Sequence, residues 1–111
     1  MIKDTMINAL NEQINEELFS SYLYLSMAAQ FEAMALAGFA NWMKIQAQEE
    51  LSHAMKLFNY VSERGGRVAL IAIAEPQQEW KAALEMFEAA YEHECHISEC
   101  INKLVDLAIK E

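Results

Sequence analysis

Glycine and proline are scarce here, at 3 and 1 among 111 residues. Turn-rich all-β folds need both at their reversals, so this scarcity excludes them and favours long uninterrupted helices. Cysteine is nearly absent, and Cys95 and Cys100 make no disulfide scaffold. On one helix they would lie about 140° apart around the axis, with Cα atoms beyond bridging reach. Both read as reduced thiols of a cytoplasmic protein. No apolar run approaches the ~20 residues that span a bilayer. The opening Met1-Ile2-Lys3-Asp4 lacks an apolar signal core. A soluble chain with no membrane partner is expected. Positive charge is short too: 8 basic side chains against 17 acidic leave a net charge of −9. Nucleic-acid backbones demand clustered Lys and Arg, so that partner is excluded. The acidic balance suits a protein that concentrates cations, and serves plain solubility equally well.

What the chain does hold is apolar material: 54 % of its residues are hydrophobic, enough for a real core and too much for disorder. Its length fits one domain, residues 1–111. Apolar spacing is helical from Asp4 to Phe31 through Met6, Leu10, Ile14, Leu18 and Leu25, with Asp4 or Thr5 able to cap the start. A short turn is expected between Ala33 and Gly38. A second run passes through Phe39, Trp42, Met43, Ala47, Ala54, Leu57 and Val61 and stops at Gly65-Gly66. A third carries Trp80, Leu84, Phe87, Tyr91, Ile97, Ile101, Leu104 and Ala108. The spacing predicts helices over about 4–33, 38–64 and 78–111, with a crossover over 65–77; the third start is open, with Pro76 at the first helical position or the helix beginning near Lys81. Val68 to Ala74 could make a strand but has no partner, so an extended crossover fits better. At ~3.3 Å per residue such a segment spans roughly 36 to 53 Å, letting the third helix run parallel to the second. The fold class is all-α: three long helices of a bundle whose wide apolar faces leave a groove.

Polar residues interrupt those stripes. Leu10, Glu17, Tyr24 and Phe31 follow at seven-residue steps, as do Met43, Glu50 and Leu57, and Phe87, Glu94 and Ile101. Three helices thus each place a carboxylate on the core face near mid-length. Glu50-x-x-His53 adds an imidazole one turn away, so both can ligate one ion. A buried carboxylate without a partner costs several kcal/mol even after relaxation, and three together also repel. A bound divalent cation resolves both problems. Carboxylates with one imidazole suit iron or manganese, whereas structural zinc takes more Cys and His. A lone Glu-x-x-His on an acidic helix more often marks a solvated face; the shared heptad phase is what favours metal. His93, His96 and Cys100 fall on a flank of Glu94, either an ion site at a subunit contact or an ordinary polar flank. Tyr24 reads either as a core tyrosine or as a partner of the ligands. The seven methionines read as gap-fillers.

Several stretches are similar to a known family. The segment from Leu10-Asn11-Glu12-Gln13 through Glu16-Glu17-Leu18 to Tyr22-Leu23-Tyr24-Leu25 resembles the first helix of archaeal and bacterial non-haem ferritins. Gly38-Phe39-Ala40-Asn41-Trp42-Met43 and Gln46-Ala47-Gln48-Glu49-Glu50-Leu51-Ser52-His53 resemble the second, Glu63-Arg64-Gly65-Gly66 the turn after it, and Tyr91-Glu92-His93-Glu94 the third. The resemblance implies a ferritin-like bundle that oxidises Fe(II) with O₂ or peroxide and stores ferric mineral in a homo-oligomeric shell of 24 subunits. It implies Glu17, Glu50 and His53 as the first iron site. Glu50 bridges to a second site where Glu94 is a ligand, giving a di-iron centre. Glu49 belongs to a further iron position, and Tyr24 stands beside the centre. Leu51 occupies the place of the haem-binding methionine of bacterioferritins, which implies no haem. Family members continue into a fourth helix with further ligands. None is present in this chain, so either it is a fragment or another chain supplies that wall. Beside the ferroxidase reading stand a non-catalytic helical assembly module and an enzyme acting on an organic substrate. The last lacks a dedicated apolar pocket and a second Glu-x-x-His.

Overall fold

The computed structural model describes residues 2–111, and three helices carry the fold: α1 (Asp4–Ala33), α2 (Ala37–Glu63) and α3 (Ala83–Lys110). There is no strand among the described residues. α3 begins at Ala83, close to the later of the two expected starts, near Lys81, because Ser26 and Gln30 of α1 hold the backbone of Gln77 and Trp80. Neither Asp4 nor Thr5 caps α1. Lys3 takes that position in extended conformation without a side-chain bond. The Thr5 hydroxyl instead donates to Glu111, just beyond the end of α3.

The first two helices end in the same device. After α1, the Ala35 N–H bonds to the Glu32 carbonyl (3.0 Å) and the Leu36 N–H reaches back to Phe31 (2.9 Å). After α2, Gly65 bonds to Ser62 (3.2 Å) and Gly66 to Val61 (2.9 Å). Each pair is a Schellman closure, which needs a left-handed residue. Gly65 supplies it at φ 81°, and Ala35 does so at φ 59° despite its side chain. Gly38, the expected breaker, lies inside α2.

The tight turn makes α1 and α2 an antiparallel hairpin. Alanines 40, 47 and 54 on α2 are fully buried, and Ser21 donates to the Ala47 carbonyl at 2.8 Å. Small side chains there let the two helices approach closely. Residues 66–80 then run without helix or strand beside α1, held by its amides. Asn11 binds both Arg67 O (3.1 Å) and Ala69 N (3.2 Å). Gln30 does the same for the Trp80 backbone, donating at 2.6 Å and accepting at 2.7 Å. The apolar Val68 to Ala74 stretch therefore needs no partner strand.

The crossover returns the chain to the starting end, so α3 lies parallel to α2 and antiparallel to α1. Tyr24 pairs with Glu94, Glu16 with His96, and Thr5 with Glu111. One core cluster gathers Tyr24, Met27, Phe31, Met43, Trp80 and Met86; another, Leu10, Ile14 and Val61. Met27, Met43 and Met86 are fully enclosed, as gap-filling predicts. The whole measures 50 × 21 × 21 Å.

α1 packs against both neighbours, while no Cα of α2 comes within 8 Å of α3 among the described residues. The expected stripe of α3 is corrected accordingly. Met86, Ala90 and Ile97 face α1, whereas Leu84 and Tyr91 are 68 % and 72 % exposed, and Ile101 is exposed too. Tyr91 lines the open side between α2 and α3, and Phe39 and Trp42 pack against Phe87 there. Leu25 of α1 is likewise exposed.

Candidate metal centre

Glu17 sits at the middle of α1, one turn from Ile14 and Ser20, on the face that the hairpin buries. The antiparallel register sets Glu50 of α2 opposite it. Both are enclosed, at 2 % and 4 % exposure. His53, one turn beyond Glu50, brings Nδ1 to 3.3 Å from Glu50 Oε2 and 3.7 Å from Glu17 Oε2. Donor atoms of all three lie within 4.8 Å of one another.

The hydrogen bonding around this trio is incomplete. Gln13 Nε2 donates to Glu17 Oε1 at 3.2 Å, but the buried Glu17 Oε2 has no partner. One imidazole nitrogen facing two carboxylates can donate to only one. A buried oxygen left in this way is costly, and a cation between the three groups would satisfy it. Burial first, and then the neighbouring Glu17, push the Glu50 carboxyl up to about 9. These residues therefore fit a divalent cation.

Glu94 departs from the expected dry interior. It is exposed on the open side of α3, because no element covers that face among the described residues. It still reaches the centre: the Tyr24 hydroxyl donates to Glu94 Oε1 at 2.5 Å. Burial, and then this bond to Glu94, hold Tyr24 far above the usual phenol range, so it remains a donor. A cavity of about 410 Å³ between α2 and α3 is lined by Tyr24, Gln46, Glu49, Glu50, His53 and Glu94. Glu49 is exposed at its edge. All five expected ligands thus lie in or beside one cavity, with Glu17, Glu50 and His53 converging tightly and Glu49 and Glu94 standing farther off.

Two supporting residues escaped the sequence reading. Gln13 lies four residues before Glu17, a spacing at which a glutamine can brace a carboxylate. Ser20, fully buried, donates to the Glu16 carbonyl at 2.9 Å and meets His93 Nε2 at 2.6 Å. With its only hydrogen committed, Ser20 must accept from His93, which fixes the Nε2–H tautomer. Burial, and then His96, lower the His93 pKa, so the ring stays neutral.

An all-α bundle with a buried carboxylate–imidazole cluster on facing helices defines a class, that of helical carboxylate metal proteins. Comparison narrows the class. The ferritin-like domain family matches residues 7–111. The bacterial non-heme ferritin of Bacteroides fragilis is 45 % identical over 111 residues, which are 100 % of this chain and 70 % of that protein. A closed form engineered from the Archaeoglobus fulgidus ferritin superposes with a TM-score of 0.98 at 54 % identity, over 99 % of this chain and 67 % of that one. The open pore ferritin of the same archaeon gives 0.97 at 54 % identity, over 99 % and 68 %. The chain thus spans about two thirds of the length of these relatives. It belongs to the ferritin family.

Proposed function

We propose that this chain is an iron-storage and detoxification subunit that takes Fe(II) as substrate and passes its electrons to O₂ or peroxide. The observation that carries this reading is the unpartnered Glu17 Oε2, buried beside Glu50 and His53. Glu17, Glu50 and His53 would hold the first iron. Glu50 would be shared with a second, where Glu94 reaches in under the Tyr24 hydroxyl, and Glu49 would serve a further position. Anionic oxygen donors favour Fe(III) over Fe(II), so the site assists oxidation. A proton carried by Glu50 in the metal-free chain must leave as the cation enters. The relatives bear the name non-heme ferritin, which supports iron without haem.

The test is an anaerobic Fe(II) titration followed by air. The native chain should develop ferric absorbance well above the rate in buffer, and Glu50→Ala and His53→Ala should fall back to near that rate. Equal rates in native and variant chains would overturn the assignment. A non-catalytic iron-binding module draws support from one observation, the exposure of Glu94 at the second position. Iron bound but oxidised no faster than in buffer would favour it.

A further inference from the structure

Apart from the carboxylate trio, a second donor cluster joins α1 to α3. His96 Nε2 lies 3.2 Å from Glu16 Oε2 and 3.6 Å from Cys100 Sγ. The three donor atoms all fall within 4.8 Å of one another. His96 and Cys100, four residues apart, share one face of α3, and Glu16 meets them from α1.

With its hydrogen, Nε2 donates to Glu16 and the Cys100 sulfur lies beside it as a weak acceptor; bare, it accepts from the thiol. A cation among the three atoms would instead engage a carboxylate oxygen, an imidazole nitrogen and a sulfur at once, each as a ligand. The spacing agrees: donors on a tetrahedral zinc ion stand about 3.4 Å apart for N and O, and about 3.6 Å for N and S, given bonds of ~2.0 to 2.3 Å.

We infer that Glu16, His96 and Cys100 form a binding site for a borderline divalent cation of the zinc and cobalt(II) class, with an open position for water. A thiolate, an imidazole and a carboxylate are the donor set that this class prefers, and they differ from the oxygen-rich trio of the interior. Glu12 and Glu16 line the groove of about 240 Å³ that leads to Cys100, where Lys103 is the one opposing charge. Without an ion the thiol is held above its ordinary value, by burial first and then by Glu16. The same negative surroundings draw a cation in, and the thiol proton leaves to solvent as the metal–sulfur bond forms. Bound there, the ion would tie α3 to α1.

Cobalt(II) is the probe, because sulfur ligation gives a near-ultraviolet charge-transfer band that oxygen and nitrogen donors lack. The full chain, reduced and titrated with cobalt(II), should show that band, and one equivalent of zinc should remove it. Cys100→Ser and His96→Ala should abolish or weaken it at least tenfold, while Cys95→Ser leaves it unchanged. Glu50→Ala should leave it too, which separates this site from the interior centre. A native chain without the band would overturn the inference, and so would a band that survives Cys100→Ser. Circular dichroism of each variant excludes misfolding as the cause; Cys95, His96 and Cys100 are exposed or half-exposed, and Glu50 is the one buried position of the four.

Discussion

At the scale of single residues, Glu50 is a carboxyl whose charge the metal-free fold resists. It is enclosed, it faces Glu17, and its pKa is pushed up to about 9. The consequence for stability follows from linkage. Below the ordinary value of 4.5 the carboxyl is protonated whether the chain is folded or not, and folding carries no penalty from it. Between 4.5 and about 9 the unfolded chain releases the proton while the folded chain keeps it. The metal-free fold therefore loses stability from this group as pH rises through that window. Glu50→Gln keeps the shape of the protonated side chain and removes the penalty. Metal-free Glu50→Gln should thus come near the native chain in urea unfolding at pH 4, and exceed it increasingly at pH 6 and 8. Parallel curves for the two chains would show that Glu50 ionises freely. A saturating divalent cation should reverse the order, since glutamine is a poorer ligand than carboxylate.

The helices and their ends show what a sequence reveals and what it conceals. Three long helices, the Gly65 stop and the crossover were legible, because helix formers, apolar period and glycine act locally. The clustering of Glu17, Glu50 and His53 was legible too, since matched heptad phase on antiparallel helices sets them face to face. The stripe of α3 was legible only in part. Ile97 is buried as expected and Phe87 packs against the core, but Leu84, Tyr91 and Ile101 are as apolar as the buried Met86, and only the position of α1 decides which are covered. The start of α3 was legible only as a choice between Pro76 and Lys81, because Gln30 of α1, which captures the Trp80 backbone, acts at long range. The turn after α1 was legible in place but not in mechanism, because Ala35 does what glycine usually does. An alanine in the left-handed region costs about 1 kcal/mol more than glycine, partly offset by the freedom glycine gains when unfolded. Ala35→Gly should therefore raise stability by ~0.5 kcal/mol, and Gly65→Ala, the opposite exchange in the matching closure, should lower it by about 1 kcal/mol. Thermal unfolding of both variants checks the pair. Shifts of the same sign would mean that neighbouring packing, not the backbone angle, controls these turns.

For the whole molecule, the uneven distribution of buried residues sets the order in which its parts open. α1 buries ten residues, α2 six and α3 three, and none of those three lies beyond Ile97. α1 is the shared wall, touching both other helices, and the crossover is sewn to it through Asn11, Ser26 and Gln30. The far half of α3 rests on partly buried Leu104 and Leu107 and on the bond from Thr5 to Glu111. Apolar burial is the main force holding a helix down, so the segment with least of it opens at least cost. Amide hydrogen exchange of the metal-free chain should therefore be fastest in residues 98–110 among the helical segments. The first half of α3 should follow, and the α1–α2 hairpin around Met27, Phe31 and Met43 should exchange last. Uniform protection across the three helices would mean that the chain unfolds as one unit, and that the buried-residue distribution does not govern its opening. If the order holds, the carboxylate trio resides in the most durable part of the molecule, with Glu17 and Glu50 both in the hairpin. Glu94 rides on the helix that opens more readily, so a cation shared between Glu50 and Glu94 would close the bundle by joining its most stable part to its least.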